Sequence, residues 1–289
     1  MTLIYKTKGE ALEYAYLGLN HYAGCSHGCA YCYMRRMDER FGNIDFDRPR
    51  PKREPTELIR QLEREAEKLA GTNRRVQLCF STDPYQPLDA ELKLTRAVIR
   101  VLIELHIPFQ SLTKGGFLAR RDFDLYGADD LFGVTMTAIS MELFSKIHKR
   151  ADEPKIQICS LRVAKSYGIK TWVSLEPVIW PSESLQIIEQ TYEFVDLYKI
   201  GRLNPPDSGD NINWPKFAAD AVGLCEKLGV KYYLKNNLTR LLPAGSYHNT
   251  DWRKIETTDI LGIKNNKIPC RQPAAAESRD EQNKPFPYA

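Results

Sequence analysis

The sequence predicts an α/β fold in which a parallel sheet is covered by helices. Between residues 17 and 234, short apolar runs of strand length alternate with longer segments whose apolar residues keep helical spacing. The breaks between them fall at turn-forming residues such as Asp83-Pro84, Pro108, Gly115-Gly116, Pro177 and Gly229. Hydroxyl, carboxylate and cationic side chains gather at the C-terminal ends of the strand-like runs. Such alternation joins parallel strands by right-handed crossovers. A flat doubly wound sheet, an incomplete barrel and a complete eight-unit barrel all satisfy it.

Each element has its own signal. Residues 17–22 form the first strand, which feeds directly into a cysteine-bearing loop. Residues 35–53 are polar and proline-punctuated, which predicts loop with room for a turn of helix. Over 56–69, Leu58, Ile59, Leu62, Ala66 and Leu69 fall at helical spacing among Glu, Arg and Lys, the mark of an amphipathic helix. The second strand, 76–81, is broken by Asp83-Pro84. Asp89 can cap the next helix, whose apolar face from Leu92 to Leu105 runs up to Pro108. The third strand, 109–113, ends at Lys114-Gly115-Gly116 and is followed by a helix over 119–126. The fourth strand spans 131–137, and helical segments including 155–167 lead to a stop at Gly168. The fifth strand, 170–176, ends at Pro177, and Ser182 is placed to cap a helix to about residue 194. The sixth strand, 196–200, runs into Gly201-Arg202-Leu203-Asn204. Trp214-Pro215 opens a helix that closes at Gly229, and 230–234 is one more strand before Lys235. After residue 242 the pattern dissolves. The chain thus divides into a body, 1–242, and an irregular C-terminal extension, 243–289, whose polar tail from about 272 is expected to be flexible.

Composition narrows the function. With 289 residues and 43% hydrophobic content the chain can bury a sizeable core. No apolar run approaches the ~20 residues of a membrane span, and residues 1–10 lack the basic-then-apolar order of a signal peptide. A cytoplasmic protein with no membrane partner is expected. Seven cysteines are too few for a disulfide scaffold, so reduced thiols are the default. The net charge of +4 permits a nucleic-acid partner without requiring one. Arg48-Pro49-Arg50-Pro51-Lys52-Arg53 is the densest positive segment and reads as a solvated, extended linker.

The chemistry points to the stretch Asn20-His21-Tyr22-Ala23-Gly24-Cys25-Ser26-His27-Gly28-Cys29-Ala30-Tyr31-Cys32-Tyr33. Cys25, Cys29 and Cys32 stand at C-x3-C-x2-C, close enough for one loop to bring three thiolates to a single inorganic centre. Thiolates are the usual ligands of iron–sulfur clusters, and a cubane held by three of them has a fourth iron open. A zinc site completed by His27 has suitable ligand types, but structural zinc modules take ligand pairs from two separated segments and no second pair follows. Three buried structural thiols would not need fixed spacing.

With Tyr31 before the third cysteine, this loop resembles the radical S-adenosylmethionine (SAM) superfamily and its C-x3-C-x-aromatic-C motif. That resemblance implies a partial (βα)6 TIM-type barrel and a [4Fe-4S] cluster on Cys25, Cys29 and Cys32. It also implies SAM chelated at the open iron and cleaved reductively to a 5'-deoxyadenosyl radical, with a reductant such as flavodoxin or ferredoxin as partner. In parallel α/β architectures ligands sit at the C-terminal ends of strands. There the chain presents Ser81, Thr82 and Asp83, then Lys114, Thr135 and Thr137, Ser174 and Glu176, and finally Lys199, Arg202 and Asn204. Ser81 to Asp83 occupy the place where other radical SAM enzymes carry a Gly-Gly-Glu segment.

Within the superfamily the chain is most similar to spore photoproduct lyases and DNA repair photolyase-like proteins. The likeness rests on the cysteine stretch, Ser81-Thr82-Asp83-Pro84-Tyr85-Gln86-Pro87, Leu112-Thr113-Lys114, Ser174-Leu175-Glu176-Pro177-Val178 and Lys199-Ile200-Gly201-Arg202-Leu203-Asn204. It implies Tyr31, Ser81, Lys114 and Thr135 beside SAM, with Thr82, Asp83, Thr137, Glu176, Arg202 and Asn204 as further candidates on the same rim. It also implies Cys79 as a hydrogen-atom donor, since Cys79 and Ser81, two apart on a strand, would share the face turned into the barrel. A small buried hydrophobe is the other reading of Cys79. The expected reaction is hydrogen abstraction from a nucleobase or nucleotide in DNA repair or nucleic-acid modification, with Lys235, Arg240 and Arg253 near the barrel mouth. The same chemistry on a peptide or small metabolite, or a non-enzymatic metal-binding regulator, are the alternatives.

Overall fold

Apolar runs of three to nine residues, each closed by a turn-forming residue, pair side by side along the chain. The computed structural model describes residues 2–42, 45–72, 74–203 and 211–243. Asn204, Arg253 and all but the first residue of the predicted extension lie outside these.

In chain order the elements are β1 (Ile4–Lys6), β2 (Leu17–Leu19), β3 (Tyr22–Ala23), α1 (Tyr33–Phe41), β4 (Arg50–Pro51), α2 (Pro55–Ala66), β5 (Val76–Leu78), α3 (Leu88–Leu92) and α4 (Leu94–Glu104). Then follow β6 (Phe109–Thr113), α5 (Gly116–Ala119), β7 (Leu131–Thr135), α6 (Met141–Ile147), α7 (Pro154–Ser166), β8 (Lys170–Val178), α8 (Pro181–Thr191), β9 (Leu197–Arg202), α9 (Trp214–Leu228), β10 (Lys231–Leu234) and α10 (Asn236–Thr239).

The main sheet runs β1-β2-β5-β6-β7-β8-β9-β10, parallel from β2 onward, with β1 antiparallel at the edge. Each parallel strand lies beside the next one in sequence. A doubly wound sheet must reverse its order at a switch point, and none occurs here. With crossovers of one hand, every connecting helix falls on the same face, and the sheet curls around the other. The result is the partial barrel, with β1 and β10 at the edges rather than paired.

The helix layer is apolar and sealed. Leu58, Leu62 and Ala66 of α2 and Val98, Ile99 and Leu102 of α4 are buried against Leu17, Leu19, Val76, Leu78 and Phe109 of the sheet. Each of the larger side chains contributes about 1.5–3 kcal/mol by leaving water. The inner face is mixed: Tyr14, Leu131, Trp172, Leu197 and Tyr233 form a small apolar cluster among polar groups. Gly133 makes room for the Trp172 indole, which a Cβ there would overlap.

The open side of the barrel is bridged by the N-terminal segment, whose single-turn helix Gly9–Glu13 has no clear signal in the sequence. The Glu13 carboxylate accepts from the Tyr233 hydroxyl at 3.0 Å and the Asn236 N–H at 2.7 Å, and its carbonyl accepts from Lys199 Nζ at 2.9 Å. Gln110 donates to the Tyr14 carbonyl at 2.9 Å. One short segment thereby ties the first part of the chain to the last strands.

Several expectations are corrected. Residues 35–41, read within a loop over 35–53 with room for a turn of helix, belong to the nine-residue helix α1 (Tyr33–Phe41), none of whose residues is buried. The basic run is not a free linker, because Arg50–Pro51 pairs with Tyr22–Ala23. Ser182 does not cap α8; Pro181 opens it, and the Glu183 carboxylate instead accepts the Ile139 and Ser140 N–H groups at 2.7 and 2.8 Å. Asp89 does serve α4, accepting the Thr95 N–H at 2.9 Å from within α3, across a break at Lys93 with φ 49°.

Candidate functional site

The cysteine loop leaves β3 at the C-terminal end of the barrel and is stitched to three other segments. The Cys25 N–H donates to the Phe46 carbonyl at 2.7 Å, Gln86 bridges Gly24 and Ser26, and the Ala30 and Arg150 N–H groups join the loop to residues 147–150. Gly24 has φ +77°, and a Cβ there would lie 2.7 Å from the Phe46 carbonyl oxygen, so this turn admits no side chain. Cys25 and Cys29 are buried and Cys32 half-buried. Cys32 is the N-cap of α1. Burial pushes the free Cys25 and Cys29 thiols up, and the nearby Lys114 ammonium opposes this.

This donor set fits an iron–sulfur cubane, which takes its thiolates on three different irons. It does not fit zinc. His27 turns Nδ1 to the Arg150 carbonyl at 3.1 Å and Nε2 to Asp83 at 3.4 Å. Among the described residues no three His, Cys, Asp or Glu side chains converge as a single ion requires.

Lys114, closing β6, faces the loop, with its Nζ 5.6 Å from the Tyr31 ring centroid. Burial disfavours its charge, but Tyr31, Cys29, Asp83 and Cys32 outweigh this and raise its pKa. Tyr31 packs edge-on against His148, and His148 Nε2 lies 2.9 Å from Thr137 Oγ1. Burial, then Lys114 and His27, hold the His148 pKa at about 3, so the ring is neutral. His148 carries no motif in the sequence; the end of α6 delivers it. Thr135 is buried at the end of β7. The Ser81 N–H donates to Asn20 Oδ1 at 3.2 Å, and the Thr82 N–H to the Cys79 carbonyl at 3.2 Å.

Asp83 departs from its predicted role. Both its oxygens are engaged, by Thr113 Oγ1 at 2.6 Å, the Lys114 N–H at 2.7 Å, the Tyr85 N–H at 2.9 Å and His27. Burial opposes ionisation, but His27, Thr113 and the Lys114 N–H prevail and hold the pKa at about 2. Asp83 is therefore an anchor between the cysteine loop and β6, not a group open to a ligand.

Glu176 is likewise committed. It accepts the Tyr14 hydroxyl, Lys235 Nζ at 2.6 Å on both oxygens, and Asn237 Nδ2 at 3.3 Å. Lys235, expected near the barrel mouth, is buried in this pair, whereas Arg240 is exposed. Beneath them the Lys199 ammonium lies 4.9 Å from both the Tyr14 and Trp172 rings. Burial, then Lys235 and Arg75, lower its pKa to about 7. The Arg202 guanidinium lies 5.2 Å from the Trp214 ring.

Cys79 does not share the inward face with Ser81. The strand stops at Leu78, Cys79 has φ 49°, and its Sγ rests 3.4 Å from His21 Nδ1 among the side chains beneath α2 and α4. Burial pushes its thiol up to about 12.

A singly wound partial barrel with three clustered cysteines at its mouth defines a class of cluster-binding enzymes. Residues 19–195 match the Radical SAM superfamily, and the chain belongs to it. The family uses a [4Fe-4S] cluster and SAM, and depends on a reductant. An uncharacterized protein of Mycobacterium tuberculosis is 28% identical over 177 residues, 58% of this chain and 51% of that protein. An uncharacterized protein of Methanocaldococcus jannaschii is 25% identical over 189 residues, covering 64% and 70%. The chain thus spans about half the length of the mycobacterial relatives. Among solved structures, a spore photoproduct lyase variant with bound AdoMet and dinucleoside spore photoproduct superposes with a TM-score of 0.61 at 11% identity, covering 79% and 78% of the two chains. Streptococcus suis SuiB bound to S-adenosylmethionine gives 0.58 at 10%, covering 82% and 53%. At these identities the likeness is one of fold. Among the described residues no helix is long and apolar enough to cross a membrane.

Proposed function

We propose that Cys25, Cys29 and Cys32 hold the family's [4Fe-4S] cluster and that the chain removes a hydrogen atom from a nucleobase or nucleotide within a nucleic acid. The observation that carries the first part is that all three thiols, carried on one short loop, lie within electrostatic range of the Lys114 ammonium, which also stands 5.6 Å from the Tyr31 ring. When bound, the reduced cluster supplies the electron that cleaves SAM. The chain's own groups do the rest. Lys114 offsets the negative charge of the thiolates, and Tyr31 is held in place by His148. Asp83 fixes the loop against β6, and the Glu176–Lys235 pair joins β8 to the segment after β10 beside the mouth. The likeness to a lyase that binds a dinucleoside lesion, together with the net charge of +4, supports the substrate class.

We assign 1–242 to the barrel body, with the cluster loop at 20–33, and 243–289 to an appended extension. The cysteines among the described residues are free thiols, which suits a reducing, cytoplasmic setting. The test is anaerobic reconstitution. About four irons per chain and 5'-deoxyadenosine on reduction are expected, and Cys29→Ala should abolish both. Binding of single-stranded oligonucleotides that weakens steeply with salt tests the substrate class. A protein that ignores polynucleotides at low salt refutes that part while leaving the cluster assignment standing.

A further inference from the structure

Past its first residue, the helix that follows the cysteine loop carries a surface to which the site described above gives no role. Helix α1 starts at the residue after Cys32, and none of its residues is buried. Tyr33 lies within electrostatic range of Cys32, Glu176 and Lys114 and belongs with the mouth; beyond it Met37 and Phe41, spaced by four, continue one stripe of the helix. Met37 and Phe41 are 47% and 60% exposed. An amphipathic helix normally turns such a stripe to a core. This one shows it to solvent, and exposed apolar strips rimmed by charge mark interaction sites.

The rim is basic and is fastened to the same loop. Between residues 35 and 53 the sequence has seven Arg or Lys against four Asp or Glu. Arg36, Arg40, Arg48, Arg50 and Arg53 are exposed, and the Arg40 guanidinium lies 5.2 Å from the Phe41 ring. The backbone of Arg48 and Pro49 abuts Gly24, beside Cys25. Arg35 pairs with Asp47 at 2.5 Å, and the Phe46 N–H donates to Asp38 at 2.9 Å, so helix and basic run are held as one unit over the loop.

We infer that α1 and the basic run form the docking surface for an acidic one-electron carrier protein of the flavodoxin or ferredoxin kind. The inference rests on the reading of Cys25, Cys29 and Cys32 as cluster ligands. Position argues for this partner: the patch begins at a ligand residue and lies over the cluster loop, so a carrier seated there brings its redox centre near the group it must reduce. Charge argues likewise, because a basic rim steers an acidic partner and an apolar centre holds it. One electron leaves the carrier's reduced centre, which is oxidised by one, and enters the cluster; no proton or group moves between the proteins.

The experiment uses anaerobically reconstituted protein, reduced flavodoxin as donor and dithionite as a small-molecule control. Two double variants are compared with the parent, M37D with F41D and R36E with R40E, all at exposed positions. Each should raise the Kd for flavodoxin by about tenfold or more and lower flavodoxin-driven 5'-deoxyadenosine formation in proportion. Dithionite-driven formation should stay unchanged. Parent binding should weaken with salt, and the charge variant should lose most of that dependence. Variants that bind flavodoxin and accept its electrons as the parent does would overturn the proposal. So would variants that keep flavodoxin affinity but lose oligonucleotide binding, which would give the surface to nucleic acid. If dithionite yields no 5'-deoxyadenosine with the parent, the cluster reading itself fails.

Discussion

Replacing Asp83 by Asn removes one charge and turns one acceptor into a donor at the knot joining the cysteine loop to β6. In the folded protein its pKa falls from the ordinary 3.8 to about 2, a difference worth about 2.5 kcal/mol. The amide then faces a donor among Thr113, Lys114 and His27, and a buried group left unpaired costs about 1–3 kcal/mol more. A total loss of about 3.5–5.5 kcal/mol is expected. In urea unfolding of the cluster-free protein followed by far-UV circular dichroism, that lowers the midpoint by about 1–2 M. Because the folded pKa is depressed, the stabilisation is complete above pH 3.8 and is lost as pH falls through 2. The parent-to-variant gap should therefore be flat above pH 5 and shrink on acidification. Iron content after reconstitution should fall too, since the His27 end of the loop loses its anchor. A midpoint within about 0.3 M of the parent, or a gap that widens in acid, would refute this account of Asp83.

The other predictions concern the inner face of the barrel. Lys199→Met removes a cation whose pKa is lowered to about 7, at the expense of one hydrogen bond, so the variant should be more stable by on the order of 3 kcal/mol at pH 6. The parent's stability should climb from pH 7 toward 10.5, where only the unfolded lysine still binds the proton, and the variant's should not. Glu176→Gln leaves the buried Lys235 with only the Glu13 carboxylate, at 3.9 Å, as counter-charge and should cost about 3 kcal/mol in denaturant unfolding. Adding Lys235→Met should recover part of that, as a coupled pair requires. Gly133→Ala forces a methyl into the Trp172 indole and should cost about 1–3 kcal/mol, visible as a lower urea midpoint and altered near-ultraviolet signal from the tryptophan.

How much of this was legible in advance depends on the range of the interaction involved. Strands β6 and β7 and helices α2, α7 and α9 follow from periods and punctuation that lie within a dozen residues, and Trp214, Pro215 and Gly229 bracket α9 as read. The cysteine spacing is equally local, and it suffices to name the chemistry. Contacts made across the sequence are another matter. Tyr14 reaches Glu176 from 162 residues away and Glu13 reaches Asn236 from 223, and no pattern in either segment announces the partner.

The sequence alone determined that strands and helices alternate, that the strands run parallel, and that three cysteines stand in one loop, because backbone periodicity and ligand spacing are properties of neighbours. The tertiary structure decided the rest: that the strands run in unbroken order and curl, that Asp83 and Glu176 are anchors rather than open ligands, that Cys79 turns toward His21, and that α1 faces solvent. Each of these depends on which surface a distant segment covers. A chain fixes that only when burial of its apolar faces and pairing of its buried charges are satisfied together.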